Sequence, residues 1–157
     1  MEERLIKVGI THGDINGIGY EVILKTFSDA RVAELCTPVI YGSSKIAAYH
    51  RKSLELPPVN MNIISQAEDA GINRVNIINC VDDETKVELS QSTSIAGEAA
   101  FLALEAAVTD LKRGAVDVLL TAPINKHNIQ NDQFHFPGHT EYLEERFGGV
   151  GRKALMI

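Results

Sequence analysis

The chain has 157 residues, of which 45% are hydrophobic and 23% charged, a balance typical of one folded globular domain. This composition excludes a disordered tail, a collagen-like fibre and a low-complexity linker. Acidic residues outnumber basic ones by 21 to 15, and the formal net charge of −6 argues against the basic surface that nucleic-acid binding requires. We therefore expect no nucleic-acid partner.

In chain order, the first half of the sequence predicts strand 4–11, helix 20–27, strand 37–42, helix 44–53, and strands 60–65 and 75–81. The apolar runs of these strands are nearly continuous and do not alternate with polar residues. Such runs favour strands that are covered on both faces of a parallel sheet.

The clearest helix is predicted over 95–113, with Ser94 as its N-cap and Gly114 just beyond its C-terminus. One face of this helix carries small residues that allow close packing on a sheet, namely Gly97, Ala99, Ala100 and Ala103. The remaining predicted elements are strand 116–121, a Pro137-Gly138 turn, helix 139–147 and an apolar strand 153–157. Because the sequence stops within that strand, we expect the chain to be part of a longer protein.

Strands that alternate with helices predict an α/β fold with a mostly parallel sheet flanked by helices. The N-terminal Met-Glu-Glu-Arg is acidic where a signal peptide is basic, and no apolar run approaches the roughly 18 residues of a membrane span. Cys36 and Cys80 form no CxxC motif and are expected to be reduced thiols. We expect a cytoplasmic protein with no membrane partner.

The first segment with a chemical signature is 9–21, GITHGDINGIGYE, with glycines at Gly13, Gly17 and Gly19. A loop of this kind between a strand and a helix either faces a ligand through its backbone amides or makes a sharp structural turn. A dinucleotide fingerprint fails here, because Val22 occupies the final glycine position and 39–44 contains no acidic residue.

The second segment is 121–126, TAPINK, which begins at the carboxyl end of a predicted strand. Ligands bind at that edge in open α/β sheets, and Thr121, Asn125 and Lys126 supply a hydroxyl, an amide and an ammonium group. The alternative is a turn initiated by proline, with a solvated lysine.

The third segment is 134–145, FHFPGHTEYLEE. His135 and His139 are separated by Pro-Gly and do not share a helix face, so a metal site built from the two is not favoured. His139 and Thr140 stand at a predicted helix start, where amide donors and a hydroxyl can receive an anion. The other histidines have no partner at metal-ligand spacing and are predicted to lie at the surface or in turns: His12, His50 and His127.

Together these segments resemble the 4-hydroxythreonine-4-phosphate dehydrogenase family of pyridoxal 5′-phosphate biosynthesis. The similarity rests on four co-linear segments: 13–21, 95–104 (IAGEAAFLAL), 121–126 and 138–141 (GHTE). The family's glycine loop reads GDPAGIGxE, and this chain departs from it with Ile15-Asn16 in place of Pro-Ala. That departure affects the fine geometry of the loop and leaves its glycines in place.

The resemblance implies an isocitrate/isopropylmalate dehydrogenase-like architecture, in which two α/β domains share a cleft across a homodimer. Residues 1–122 would form most of the first domain, completed by a later part of the chain, and 123–157 would begin the second. Family members are roughly twice this length, so the sequence is expected to be an N-terminal half.

The implied reaction is the NAD-dependent oxidation of 4-phosphooxy-L-threonine and its decarboxylation to 3-amino-2-oxopropyl phosphate. By motif match, His139 and Thr140 would bind this phosphorylated substrate, and Lys126 is a candidate catalytic residue. No residue is assigned to NAD. The family's ligands for a divalent metal (Zn, Mg or Co) would lie beyond Ile157. Two alternatives stay open: a related substrate such as threonate or erythronate phosphate, and an inactive truncated fragment.

Overall fold

A computed structural model describes residues 5–149, 151 and 153. Of the predicted C-terminal strand over 153–157, residues 154–157 lie outside this range, as does residue 4 of the first predicted strand. No helix in the described part of the chain is long and apolar enough to cross a membrane.

Five parallel strands form one sheet: β1 (Lys7–Thr11), β2 (Thr37–Gly42), β3 (Met61–Ile64), β4 (Val75–Asn79) and β5 (Val118–Thr121). Their order across the sheet is β3-β4-β2-β1-β5, and every neighbouring pair is parallel. The predicted α/β fold with a parallel sheet is confirmed. β2 has the predicted bounds, whereas β4 ends two residues before the predicted limit.

The helices are α1 (Gly19–Phe27), α2 (Val32–Leu35), α3 (Ser44–Ser53), α4 (Ser94–Lys112) and α5 (His139–Phe147). The bounds of α3 and α5 match the sequence prediction, whereas the single turn of α2 was not predicted. The N-cap of α4 is Thr93 and not Ser94, because the Thr93 hydroxyl accepts a hydrogen bond from the Ala96 amide. Gly114 follows the helix with a φ of 76°, as predicted for a residue in that position.

Helices cover both faces of the sheet. On one face, Ile10 and Ile40 pack with Ile23 and Phe27 of α1. Side chains alternate along a strand, so neighbouring positions such as Tyr41 face the other way and pack with α4. The near-continuous apolar runs of β1 and β2 follow from burial on both sides.

A buried asparagine organises the amino-terminal edge of the sheet. The side-chain nitrogen of Asn76, in β4, lies 3.0–3.1 Å from the carbonyl oxygens of Pro38, Gly71 and Arg74. Its side-chain oxygen accepts hydrogen bonds of 2.9 Å from the Asn62 side chain and the Gly71 amide. Asn76 thus joins β2, β3 and β4 to the turn that precedes β4.

The opposite edge of the sheet is open along β5. Among the described residues β5 pairs only with β1, so its outer row of backbone donors and acceptors has no strand partner there. Val118 and Leu120 are 46% and 54% exposed, and they lie beside Val8 and Ile10 on the α1 face. The apolar surface of the sheet therefore continues to this edge without cover from the described residues.

Candidate functional site

The carboxyl ends of β1 and β5 are neighbours, and they bring two of the sequence motifs together. The loop after β1, residues 12–18, is called the glycine loop below, and residues 122–128 are called the TAPINK segment. The Asp14 amide donates to the Pro123 carbonyl oxygen at 2.9 Å, and the Ala122 amide donates to that of Thr11 at 3.1 Å. Parallel pairing of the two strands thus fixes the motifs side by side at the edge where ligands bind in such sheets.

The glycine loop makes the sharp structural turn at Gly13, and at Gly17 it lines an open cleft, whereas its role toward a ligand stays a prediction. Gly13 has a φ of 69°, and a Cβ atom there would overlap the carbonyl group of Pro123, so this glycine is needed for a close backbone contact. At Gly17 the nearest atoms to such a Cβ are those of Asp14, at 3.5 Å or more, which is ordinary contact distance. Gly17 lines an open cleft, and there the loop faces solvent and any ligand.

This cleft has a volume of about 410 Å³, within the range of small-molecule sites. It lies between the glycine loop and residues 89–92, and Asn125 of the TAPINK segment also lines it. Asp14 and Glu21 contribute carboxylates, and none of the described lining residues is Lys or Arg. The Glu21 carboxylate is ion-paired with Lys25 at 2.6 Å, so the negative charge of Asp14 is what disfavours a phosphate in this cleft.

Asn125 shapes the TAPINK segment. Its side-chain oxygen accepts hydrogen bonds from the amides of His127 at 3.0 Å and Asn128 at 3.2 Å, which closes a turn around Lys126. Its side-chain nitrogen donates to the Ser92 hydroxyl at 3.3 Å. Asn125 therefore joins the turn to the opposite wall of the cleft.

Helix α4 packs against the same turn. A Cβ atom at Gly97 would overlap the carbonyl group of Asn128, so the absence of a side chain lets the helix backbone contact the TAPINK segment directly. The predicted small-residue face is divided among several contacts. Ala103 packs in the cluster that faces β2, whereas Ala99 and Ala100 belong to two other core clusters and Gly97 contacts the loop.

The GHTE motif lies next to the TAPINK segment. α5 begins at His139, and its N-cap is Gly138, so no side chain caps the amides of the first turn. A Cβ atom at Gly138 would lie 3.7 Å from the Lys126 ammonium nitrogen, which places this cation at the start of the helix. The predicted residues Lys126, His139 and Thr140 are thus grouped around one helix N-terminus.

His139 is half-buried, and its Nε2 has no hydrogen-bond partner among the described residues. Burial lowers the pKa of His139, and the positive charge of Lys126 lowers it further. The imidazole is therefore neutral at neutral pH and can act as a hydrogen-bonding group. Beside it, the Lys126 ammonium and the helix amides supply positive potential, which is partly offset by the Glu141 carboxylate, whose Oε2 would lie 3.6 Å from a Cβ atom at Gly138.

The prediction that His12 and His50 lie at the surface or in turns is wrong. They are 0% and 2% exposed, and their rings stack on either side of Tyr20 at centroid distances of 5.2 Å. Nε2 of His12 lies 3.2 Å from the Ala99 carbonyl oxygen. Gly42 leaves room for this stack, because a Cβ there would contact the His12 ring. His127 is exposed, as predicted.

The described residues contain no group of three or more His, Cys, Asp or Glu side chains that could hold a metal ion. His135 is exposed and His139 half-buried. Cys36 and Cys80 are both free thiols, as predicted.

Sequence reasoning missed residues 88–93, which form one wall of the cleft. It also missed the role of Asn16, whose side chain bonds to this segment. This segment has no regular secondary structure and carries no motif. The available signal was Asn16 itself, a polar residue where the resembling family has alanine.

Comparison with known proteins gives a consistent result. The family model described as "Pyridoxal phosphate biosynthetic protein PdxA" matches residues 34–157. A 4-hydroxythreonine-4-phosphate dehydrogenase of Bacteroides thetaiotaomicron is 59% identical over all 157 residues, which correspond to 43% of its own length. A putative D-threonate 4-phosphate dehydrogenase of Clostridium botulinum is 32% identical over 88% of the chain and 42% of its own.

Solved structures show the same fold. A 4-hydroxythreonine-4-phosphate dehydrogenase from Burkholderia phymatum superposes with a TM-score of 0.81 and 29% identity, over 93% of this chain and 44% of the other. The enzyme of that name from Klebsiella pneumoniae gives a TM-score of 0.80 and 25% identity, over 93% and 45%. The chain thus spans less than half the length of the relatives it matches. On the family-model match, the shared fold and the position of its motifs, the chain belongs to the PdxA family.

Proposed function

We propose that the whole protein containing this chain oxidises 4-phosphooxy-L-threonine with NAD in pyridoxal 5′-phosphate biosynthesis. The secondary alcohol loses a hydride to NAD⁺ and a proton to a base. The resulting β-keto acid loses CO2 and takes up a proton to give 3-amino-2-oxopropyl phosphate. The observation that carries this proposal is the 59% identity to a relative of that name, together with the grouping of Lys126, His139 and Thr140.

The substrate is an anion, and the start of α5 is a region of the described chain that can attract it. We assign an anionic group of the substrate to the N-terminus of α5, where the Lys126 ammonium and the helix amides attract it. His139 and Thr140 would donate or accept hydrogen bonds there. Lys126 would act electrostatically or in proton transfer. The cleft beside Asp14 and Glu21 would receive a neutral or cationic part of a ligand.

NAD supplies the hydride acceptor when it is bound, and the polar cleft has the size and charge to hold an uncharged or cationic portion of such a molecule. The described residues do not fit a divalent metal by themselves. No step of the reaction is therefore assigned to a metal through these residues, and its ligands are proposed to lie in the remaining part of the protein.

The domain boundary is proposed at residue 122, immediately after β5 ends at Thr121. Residues 1–122 contain the whole described sheet, and 123–157 would begin the second domain. We propose that a later part of the protein completes the first domain along the open edge of β5. A cytoplasmic homodimer is proposed as the working unit.

The proposal is tested with what we call the completed enzyme: residues 1–157 followed by the part of the Bacteroides relative beyond its match to this chain. NADH formation is followed with 4-phosphooxy-L-threonine, D-threonate 4-phosphate and D-erythronate 4-phosphate. We expect the highest kcat/KM for the first of these, and no NADH from residues 1–157 alone. A completed enzyme that folds and yet turns over none of them contradicts the proposed function.

The second candidate is a dehydrogenase of D-threonate 4-phosphate. The observation that favours it is the 32% identity to the Clostridium botulinum relative over 88% of the chain. The two substrates share the phosphate and the secondary alcohol and differ at C2, which carries an amino group in one and a hydroxyl in the other. A higher kcat/KM for the threonate would establish this candidate in place of the first.

His139→Ala is expected to raise the KM of the completed enzyme for the phosphorylated substrate by about 10- to 100-fold. This range corresponds to the roughly 1.5–3 kcal/mol of a hydrogen bond to a charged group. The matched control is His127→Ala, because His127 is exposed and lies in the same part of the chain. Steady-state kinetics of the two variants provide the check. Equal KM values for both would remove the role assigned to His139.

A further inference from the structure

We propose that Asn16 is a positioning residue, which holds the TAPINK segment in place through the wall of the cleft at residues 88–93. The inference rests on the proposed function, because it concerns how the chain orients Lys126 for an anionic substrate. In this chain Asn16 stands where the similar family has alanine.

The side chain of Asn16 is fully engaged. The residue is 3% exposed, and its side-chain oxygen accepts a hydrogen bond of 2.7 Å from the Glu88 amide. Its side-chain nitrogen donates to the Gln91 carbonyl oxygen at 2.9 Å and to the Thr93 hydroxyl at 3.2 Å. One carboxamide thus fixes the 88–93 segment at both of its ends.

The backbone of Asn16 adds two further contacts. Its carbonyl oxygen accepts from the Ser90 amide at 2.9 Å, and its amide donates to the Asp14 carboxylate at 3.0 Å. Ser90 has a φ of 64°, a conformation that is unfavourable for a serine and that its surroundings must maintain. The segment therefore depends on Asn16 for its shape.

Two routes lead from Asn16 to the TAPINK segment. Along the first, Gln91 and Thr93 are held on either side of Ser92, and the Ser92 hydroxyl receives the Asn125 side chain at 3.3 Å. Asn125 closes the turn around Lys126, as described above. If residues 91–93 shift, Asn125 loses its fixed partner and the turn loses its anchor.

The second route runs through α4. The Thr93 hydroxyl that receives Asn16 also caps this helix by accepting from the Ala96 amide at 3.2 Å. One residue further on, Gly97 contacts the backbone of Asn128. Asn16 therefore fixes the start of the helix against which the turn is seated.

The chain contains a matched control. Asn76 is also a buried asparagine with a fully engaged carboxamide, but it lies at the amino-terminal edge of the sheet, whereas Asn16 lies at the carboxyl edge. Removing either carboxamide leaves buried backbone groups without partners and lowers stability. Only the removal of Asn16 should disturb the TAPINK segment.

The test uses the completed enzyme with four variants: Asn16→Ala, Ser92→Ala, the double variant and Asn76→Ala. Asn16→Ala should raise the substrate KM at least about tenfold, because misplacement of a binding group by about 1 Å has large effects. Ser92 is exposed, so Ser92→Ala should raise KM about threefold without loss of stability. The double variant should resemble Asn16→Ala, since residues in one network are not additive.

Asn76→Ala should unfold at lower urea concentration and keep its KM within about twofold of the parent. Three outcomes would overturn the proposal: an unchanged KM for Asn16→Ala, KM effects of Asn16→Ala and Ser92→Ala that multiply independently, or an equal rise in KM for Asn76→Ala. If Asn16→Ala does not fold, Asn16→Asp retains the acceptor for the Glu88 amide and loses the donors. The KM of Asn16→Asp should then exceed that of the parent. An unchanged KM would overturn the proposal.

Amide hydrogen exchange separates this inference from the proposed function, because it requires no turnover. The amides of His127 and Asn128 are bonded to Asn125 and do not touch Asn16. Their exchange should accelerate at least about tenfold in Asn16→Ala and stay at the parental rate in Asn76→Ala. Unchanged exchange in Asn16→Ala would refute the positioning role. Absence of NADH formation from every substrate would refute only the proposed function.

Discussion

Gly13→Ala is expected to lower the free energy of unfolding by about 2–5 kcal/mol, a large effect for one added methyl group. A left-handed conformation costs an alanine about 1–2 kcal/mol, and overpacking against a rigid neighbour adds about 1–3 kcal/mol. At Gly13 the φ is 69° and the neighbour is the Pro123 backbone, which cannot rotate away as a side chain would. Urea unfolding of the variant and its parent measures the difference.

The matched control is Gly114→Ala. Gly114 has a similar φ of 76°, but no atom lies within 4 Å of the position a Cβ would take. Its substitution should therefore lower the free energy of unfolding only by the cost of the left-handed conformation, about 1–2 kcal/mol. Equal losses at Gly13 and Gly114 would show that the contact between the glycine loop and the TAPINK segment does not restrict residue 13.

The second large effect concerns pH: the chain should lose about 3 kcal/mol of stability between pH 6.5 and 4 because of His12. Burial lowers the pKa of His12 from 6.5 to about 4, partly opposed by the hydrogen bond to the Ala99 carbonyl oxygen. A carbonyl can only accept, so Nε2 carries the proton in the neutral ring. Nδ1 has no partner among the described residues, and a second proton there would be buried and unpaired.

The direction of the effect follows from proton binding. Below pH 6.5 the unfolded chain protonates His12 while the folded chain does not, so acid favours unfolding until the pH falls through the folded-state pKa of about 4. Above pH 6.5 the contribution is fully present. Burial also lowers the pKa of His50 and His139, and both act in the same direction.

Urea unfolding at pH 7.0, 5.5 and 4.5 tests this prediction with His12→Gln, which retains a donor for the Ala99 carbonyl oxygen and does not titrate. Most of the loss of stability on acidification should disappear in this variant. His127→Gln, at an exposed histidine, should follow the parent at every pH. A His12→Gln variant as sensitive to acid as the parent would contradict the assignment to His12.

The sheet was predictable from the sequence because its strands combine apolar runs with clear turn residues. β2, α3 and α5 have the predicted bounds. β2 ends at a glycine, α3 begins and ends at a serine, and α5 begins at the histidine that follows the Pro-Gly turn. The cap of α4 was ambiguous, since Thr93 and Ser94 both carry hydroxyls. The choice depends on which residue has an extended backbone, and that residue is Thr93, with φ −122° and ψ 149°.

The burial of His12 and His50 could not be predicted by the same reasoning. A histidine after a strand is usually polar surface, and local sequence does not show that a distant glycine leaves space for its ring. Gly42 supplies this space from another strand. For the same reason the motifs indicated Lys126, His139 and Thr140, whereas Asn16 acts through residues more than 70 positions away, and such long-range contacts have no local pattern.

The open edge of β5 has a consequence for self-association. In the described part of the chain this strand edge has no partner and exposes Val118 and Leu120, so it can pair with the same edge of a second copy. If another segment of the protein covers β5, as we propose, residues 1–157 alone should aggregate more readily than the completed enzyme.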